Sequence, residues 1–121
     1  MAKKRFRLFF HYRSEYVDNA KRRGIEWRLT DEEFLAVASL RCHYCGSPPR
    51  RFTRNRWSNR KAIGAVESEE VLNGIDRLNP EKGYVLSNCV ACCSKCNRAK
   101  MDMGVNELLE HVKQIFFNLV K

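Results

Sequence analysis

The chain has 121 residues, with 23 Lys or Arg against 14 Asp or Glu, for a formal net charge of +9. That length suits one domain with a small core, and the charge directs attention to an anionic partner, nucleic acid being the commonest. No run of about 18 apolar residues occurs, so no membrane span and no membrane partner are expected.

In chain order, Met1 to Phe10 is a basic arm with a short apolar patch at Leu8, Phe9 and Phe10. It lacks the apolar core and cleavage site of a secretory signal, so an intracellular, non-secreted setting is expected, whether phage, bacterial cytoplasm or organelle. Residues 14–23 read as a helix with Tyr16 or Val17 and Ala20 inward, stopped at Gly24. Thr30 caps a second helix, and Glu33 three residues on completes a capping box. Phe34, Leu35 and Ala38 supply its apolar face.

Cys42-His-Tyr-Cys45-Gly46 then forms a metal knuckle, ended by Pro48-Pro49. From Arg50 to Lys61 six of twelve residues are basic, interleaved with Phe52 and Trp57. Arg50, Arg51, Arg54, Arg56, Arg60 and Lys61 suit a phosphate backbone, and Trp57 suits stacking or a local packing anchor. Residues 71–76 are expected as a strand, 79–83 as a turn, and 84–86 with 89–91 as the second strand or its approach. A short helix follows from near Cys93 to about Met101. The last helix is expected to start after Asn106. Its stripe of Leu108, Leu109, Val112, Ile115, Phe116 and Leu119 reads as core or a dimer face.

The two CxxC pairs, Cys42/Cys45 and Cys93/Cys96, have 47 residues between them. In a reducing interior such pairs bind metal more often than they form disulfides. Four thiolates in tetrahedral array make a closed structural zinc site with no position open to substrate. Cys92 is an alternative to Cys93, which restores the CxxC spacing. Cys89 and Cys92 otherwise read as small buried apolar residues.

The knuckle, Gly74-Ile-Asp76-Arg77, Ser87-Asn88 and Cys93-Ser-Lys-Cys96-Asn97-Arg98-Ala-Lys100, taken in this order, resemble the HNH endonuclease superfamily, in its phage- and restriction-type branch. Asn19 to Gly24 and Thr30 to Phe34 also look like that branch. The resemblance implies an α+β fold: a small zinc-stapled ββα-metal (His-Me finger) core flanked by N- and C-terminal helices. It implies one domain over 1–121, with basic arm and helices at 1–40, core at 41–103 carrying a basic insertion at 50–70, and a final helix at 104–121. The implied function is metal-dependent DNA endonuclease, a phosphodiester hydrolase, with RNA not excluded as partner.

Residue by residue, Asp76 matches the carboxylate ligand of a catalytic divalent ion, Asn97 its second ligand and Asn88 the loop-ordering asparagine. A carboxylate with an amide oxygen is a hard set suited to Mg²⁺ or Mn²⁺. Arg98 and Lys100, one turn on, are expected to reach phosphate. One departure matters. Where most members carry the general-base histidine, this chain has Arg77, which stays protonated and suits a phosphate clamp instead. The base is then sought in His43 or Tyr44, the latter only if cations lower its pKa, with His11 more distant, His111 read as solvent-facing, and a metal-bound water with no protein base as a further alternative. The competing reading is a non-catalytic zinc-dependent nucleic-acid-binding module. A zinc nucleobase deaminase fails, because its His/Cys-x-Glu element is missing. A single site predicts nicking, and double-strand cleavage needs two sites, through a homodimer or two binding events.

Overall fold

The computed structural model describes residues 2–49 and 71–121, and residues 2–11 by backbone alone. The basic residues Arg50, Arg51, Arg54, Arg56, Arg60 and Lys61, and Trp57 among them, lie outside the described residues. The order is α1 (Ala2–Arg22), α2 (Asp31–Ala38), β1 (Gly74–Arg77), β2 (Cys89–Cys92), α3 (Ser94–Lys100) and α4 (Val105–Leu119). This is a small α+β arrangement, with a two-stranded sheet among the described residues.

Helix α1 begins at Ala2, twelve residues before the expected start, so the basic arm is helical. Its end is as the glycine dictates. Gly24 sits at φ 69°, and the N–H groups of Gly24 and Ile25 return to the carbonyls of Lys21 (3.2 Å) and Ala20 (2.8 Å). That pair of bonds satisfies carbonyls the helix would otherwise leave orphaned. At α2 the capping box is complete: Glu33 N–H donates to Thr30 Oγ1 at 3.1 Å and Thr30 N–H to Glu33 Oε1 at 2.9 Å. Helix α3 is capped by the Cys93 sulfur, which accepts from Cys96 N–H at 3.4 Å. Helix α4 starts two residues earlier than expected, with Gly104 rather than Asn106 as N-cap.

The strands pair antiparallel, Gly74 opposite Cys92, Ile75 opposite Ala91, Asp76 opposite Val90 and Arg77 opposite Cys89. Helix α2 lies against both strands. The core is aromatic at one end: Tyr16 stands edge-to-face on Tyr12 (5.5 Å) and packs on Phe34 (5.5 Å), and Trp27 packs on Tyr84 (5.0 Å). Leu29, Phe34, Val37, Leu72 and Ile75 complete it. Offset and tilted ring contacts of this kind add stabilisation beyond the buried area. The tyrosine hydroxyls also serve the sheet, since Tyr12 donates to the Asn73 carbonyl (3.2 Å) and Tyr16 accepts from Ile75 N–H (3.1 Å). A Cβ at Gly74 would stand 2.5 Å from the Tyr16 hydroxyl, so this position has room for glycine alone.

The stripe on α4 does not form core within the described chain. Leu108 is buried, whereas Leu109, Val112, Ile115, Phe116 and Leu119 are exposed. The helical period is real, but its apolar face finds no cover among the described residues.

Candidate metal centre and cleft

The knuckle turns back on itself through Gly46 N–H to Cys42 O (2.9 Å) and Cys42 N–H to Ser47 O (2.8 Å), and His43 N–H fastens it to β2 at Ala91 O (2.8 Å). This brings the knuckle thiols to the start of α3. The sulfurs of Cys42, Cys45, Cys93 and Cys96 all lie within 4.8 Å of one another. Such a cluster can hold a structural metal such as zinc. All six cysteines are free thiols, and Cys92, fully buried, points its S–H at the Cys93 carbonyl rather than into the cluster.

The thiols do not ionise alike. The Ser47 hydroxyl and N–H draw Cys45 down to about 6. Burial pushes Cys42 up, but N–H groups of Cys45, Cys93 and Tyr44 outweigh it and leave the thiol below its ordinary value. Burial and then the neighbouring sulfurs of Cys93 and Cys45 hold the Cys96 proton on. Four adjacent thiolates repel one another, and a bound cation is what allows the last of them to ionise. Burial, with the Asp76 charge adding to it, pushes Cys89 up to about 12, in keeping with a structural rather than reactive thiol.

Beside this cluster Asp76 is 8% exposed and Lys100 1%. The Lys100 Nζ lies 3.1 Å from Asp76 Oδ2 and 3.5 Å from Oδ1, and also donates to the Arg77 carbonyl at 3.2 Å. Tyr44 donates its hydroxyl to Asp76 Oδ2 at 2.7 Å. Burial, with the bond to Asp76 second, raises the Tyr44 pKa well above its ordinary value. Tyr44 is therefore a hydrogen-bond donor, which corrects its expected candidacy as a base: burial first, and the Asp76 anion second, hold its proton on. Lys100 is likewise corrected. It is sealed against Asp76 and is not available to an external phosphate.

Asp76 and Asn97 line one cleft of about 470 Å³. Gly74, Asp76 and Arg77 of β1 contribute to it, with Glu15 and Asn19 from α1, Arg23 just after it, and Asn97 and Arg98 from α3. Asp76 and Asn97 thus border the same space, the Asp76 carboxylate being held by Lys100 and Tyr44. Arg98 is exposed. Arg77 spends Nη1 on the carbonyls of Pro80 (2.7 Å) and Lys82 (2.8 Å) and lies 5.3 Å from the Tyr84 ring centroid, so it braces the 79–83 turn while lining the cleft. Asn88 ties the same turn: its Nδ2 donates to Asn79 O (3.1 Å) and Gly83 O (3.0 Å), and its Oδ1 accepts from Asn79 N–H (3.0 Å).

His43 is exposed and stacks edge-on against Tyr44 at 5.1 Å, and neither residue lines the cleft. His111 is exposed on α4, and the His11 side chain lies outside the described ones. Sequence reading missed Glu15 and Asn19. Both lie on a helix whose contact with β1 is tertiary, and the available signal was the helical spacing that puts Glu15 and Asn19 on one face.

No protein-family model matches the chain, and no solved structure matches it. It is 31% identical over 94 residues to an uncharacterized protein of Acanthamoeba polyphaga mimivirus. That match covers 78% of this chain and 14% of the viral protein, so the chain spans a small part of its relative. No helix among the described residues is long and apolar enough to cross a membrane.

Proposed function

We propose that this chain is a metal-dependent endonuclease of HNH type, hydrolysing phosphodiester bonds of DNA, with a structural zinc in the four-cysteine cluster and Mg²⁺ or Mn²⁺ between Asp76 and Asn97. The observation that carries the reading is the shared cleft: an antiparallel strand pair and the following helix bring a carboxylate and an amide to one space beside a thiol cluster. The chemistry supplied by such an ion, when bound, is polarisation of the phosphoryl group and neutralisation of the leaving oxygen. Arg98 and the remaining guanidinium donors of Arg77 hold the phosphate in the cleft. Asn88 and Arg77 keep the turn after β1 in place. Because Arg77 cannot accept a proton and Tyr44 holds its own, the proton acceptor is assigned to Glu15, a carboxylate on the same cleft. The exposed apolar face of α4 is assigned to a second copy of the chain, which would pair two nicking sites.

Plasmid cleavage with Mg²⁺, Mn²⁺ or EDTA, for wild type and Asp76→Ala, tests the proposal. Metal-dependent nicking lost in Asp76→Ala is expected. Wild-type protein that binds DNA and nicks it with neither metal sinks the enzyme reading.

One observation favours the second reading, a non-catalytic zinc-dependent nucleic-acid-binding module. The Asp76 carboxylate already has an ammonium and a phenol on it. DNA binding unaffected by Asp76→Ala, without cleavage, is the outcome that reading expects.

A further inference from the structure

The same buried contact carries a further inference, which rests on the nuclease reading. We infer that Lys100 is a built-in competitor for the divalent-ion site: its ammonium holds the Asp76 carboxylate and keeps the affinity of the protein for the ion low.

The geometry distinguishes the two carboxylate oxygens. Oδ2 takes both the Tyr44 hydroxyl at 2.7 Å and the Lys100 ammonium at 3.1 Å, whereas the contact of Lys100 with Oδ1 is longer, 3.5 Å. Oδ1, with only the longer Lys100 contact, is the oxygen less committed within the protein. An ion there sits within a few ångströms of a fixed positive charge. The pair is almost wholly buried, so water screens that repulsion little. Lys100 cannot simply swing away, because its third partner, the Arg77 carbonyl, holds it from the strand side. Its exposure of 1% separates it from the solvated lysines of a basic chain. A nucleic-acid phosphate entering the cleft adds the negative charge that Lys100 cancels, so the ion is held more firmly with polynucleotide than without it. Lys100 is thus a positioning residue that couples ion uptake to substrate.

Mn²⁺ binding to the zinc-loaded full chain, followed by the electron paramagnetic resonance of free Mn²⁺ without DNA, tests this apart from cleavage. Lys100→Met and Lys100→Gln are each expected to bind Mn²⁺ at least about tenfold more tightly than wild type, since a neighbouring unit charge is removed. Asp76→Asn is expected to lose the site. Equal or weaker binding in both Lys100 variants overturns this inference and leaves the nuclease reading standing. No Mn²⁺ bound by wild type or by the Lys100 variants overturns both. If neither variant folds, the wild-type protein decides. The Lys100 ε-methylene NMR signals are expected to shift as Mg²⁺ is titrated in, and an unmoved signal while Mg²⁺ binds overturns the inference.

Discussion

At Asp76 a single carboxylate meets a phenol from the knuckle and an ammonium from α3, and those partners decide what each neighbour can do. Tyr44 keeps its proton because it is desolvated and, secondarily, because its partner is an anion. This leaves Glu15 as the proposed proton acceptor. Glu15→Gln, which keeps size and removes basicity, is expected to lower the single-turnover nicking rate by about 10²-fold or more while DNA affinity stays the same. Gly74 illustrates a steric requirement at the same site. An alanine there drives its methyl into the Tyr16 hydroxyl, which accepts from Ile75 N–H. Gly74→Ala is expected to cost about 1–3 kcal/mol in urea denaturation, the range for overpacking a tight site. The four clustered thiols were legible in the sequence because they come as two CxxC pairs. Lys100 was not legible, because a lysine in a chain of charge +9 reads as solvated and burial is a property of the fold.

Among the elements, α2 was readable because its signals are local. Thr30 and Glu33 satisfy each other's backbone N–H within four residues, independent of the rest of the molecule. Thr30→Ala is expected to destabilise the protein by about 1 kcal/mol, read as a lower urea midpoint with unchanged slope. The start of α1 was misplaced because Ala2 to Arg13 carries no cap or stop signal, and the start of α4 because Asn106 is a better capping side chain than the Gly104 the chain uses. The pairing of β1 with β2 joins short segments across the turn that Asn88 and Arg77 brace. Four-residue strands carry too little alternation to fix a register from sequence alone. For α4 the period was legible and its partner was not. Periodicity identifies an apolar face and says nothing of what covers it. Val112→Glu is expected to turn a dimer into a monomer by light scattering, with nicking retained and double-strand breaks lost.

For the molecule as a whole the four-cysteine cluster can hold a metal that staples chain positions 42 and 96 together. Chelation of its metal is expected to unfold the domain, seen as loss of far-ultraviolet helical signal, because so small a core depends on such a tie. Metal uptake should also release protons at neutral pH, since burial and the neighbouring sulfurs keep the Cys96 thiol protonated until a cation arrives. Affinity therefore falls as pH falls, and calorimetry in buffers of different ionisation enthalpy measures the proton count. The ties at the two ends of segment 50–70 have a consequence of another kind. On the outgoing side Cys42 N–H is bonded to Ser47 O, and on the return Asn73 N–H meets Ala38 O and its side chain meets Leu40 O. The chain is clamped before it departs and again as it comes back. Closing a longer excursion on such a base costs only about 0.6 kcal/mol per doubling of length. A change of chain length between positions 49 and 71 is therefore expected to leave the urea midpoint of the described part nearly unchanged, because both flanking ties lie outside the altered stretch.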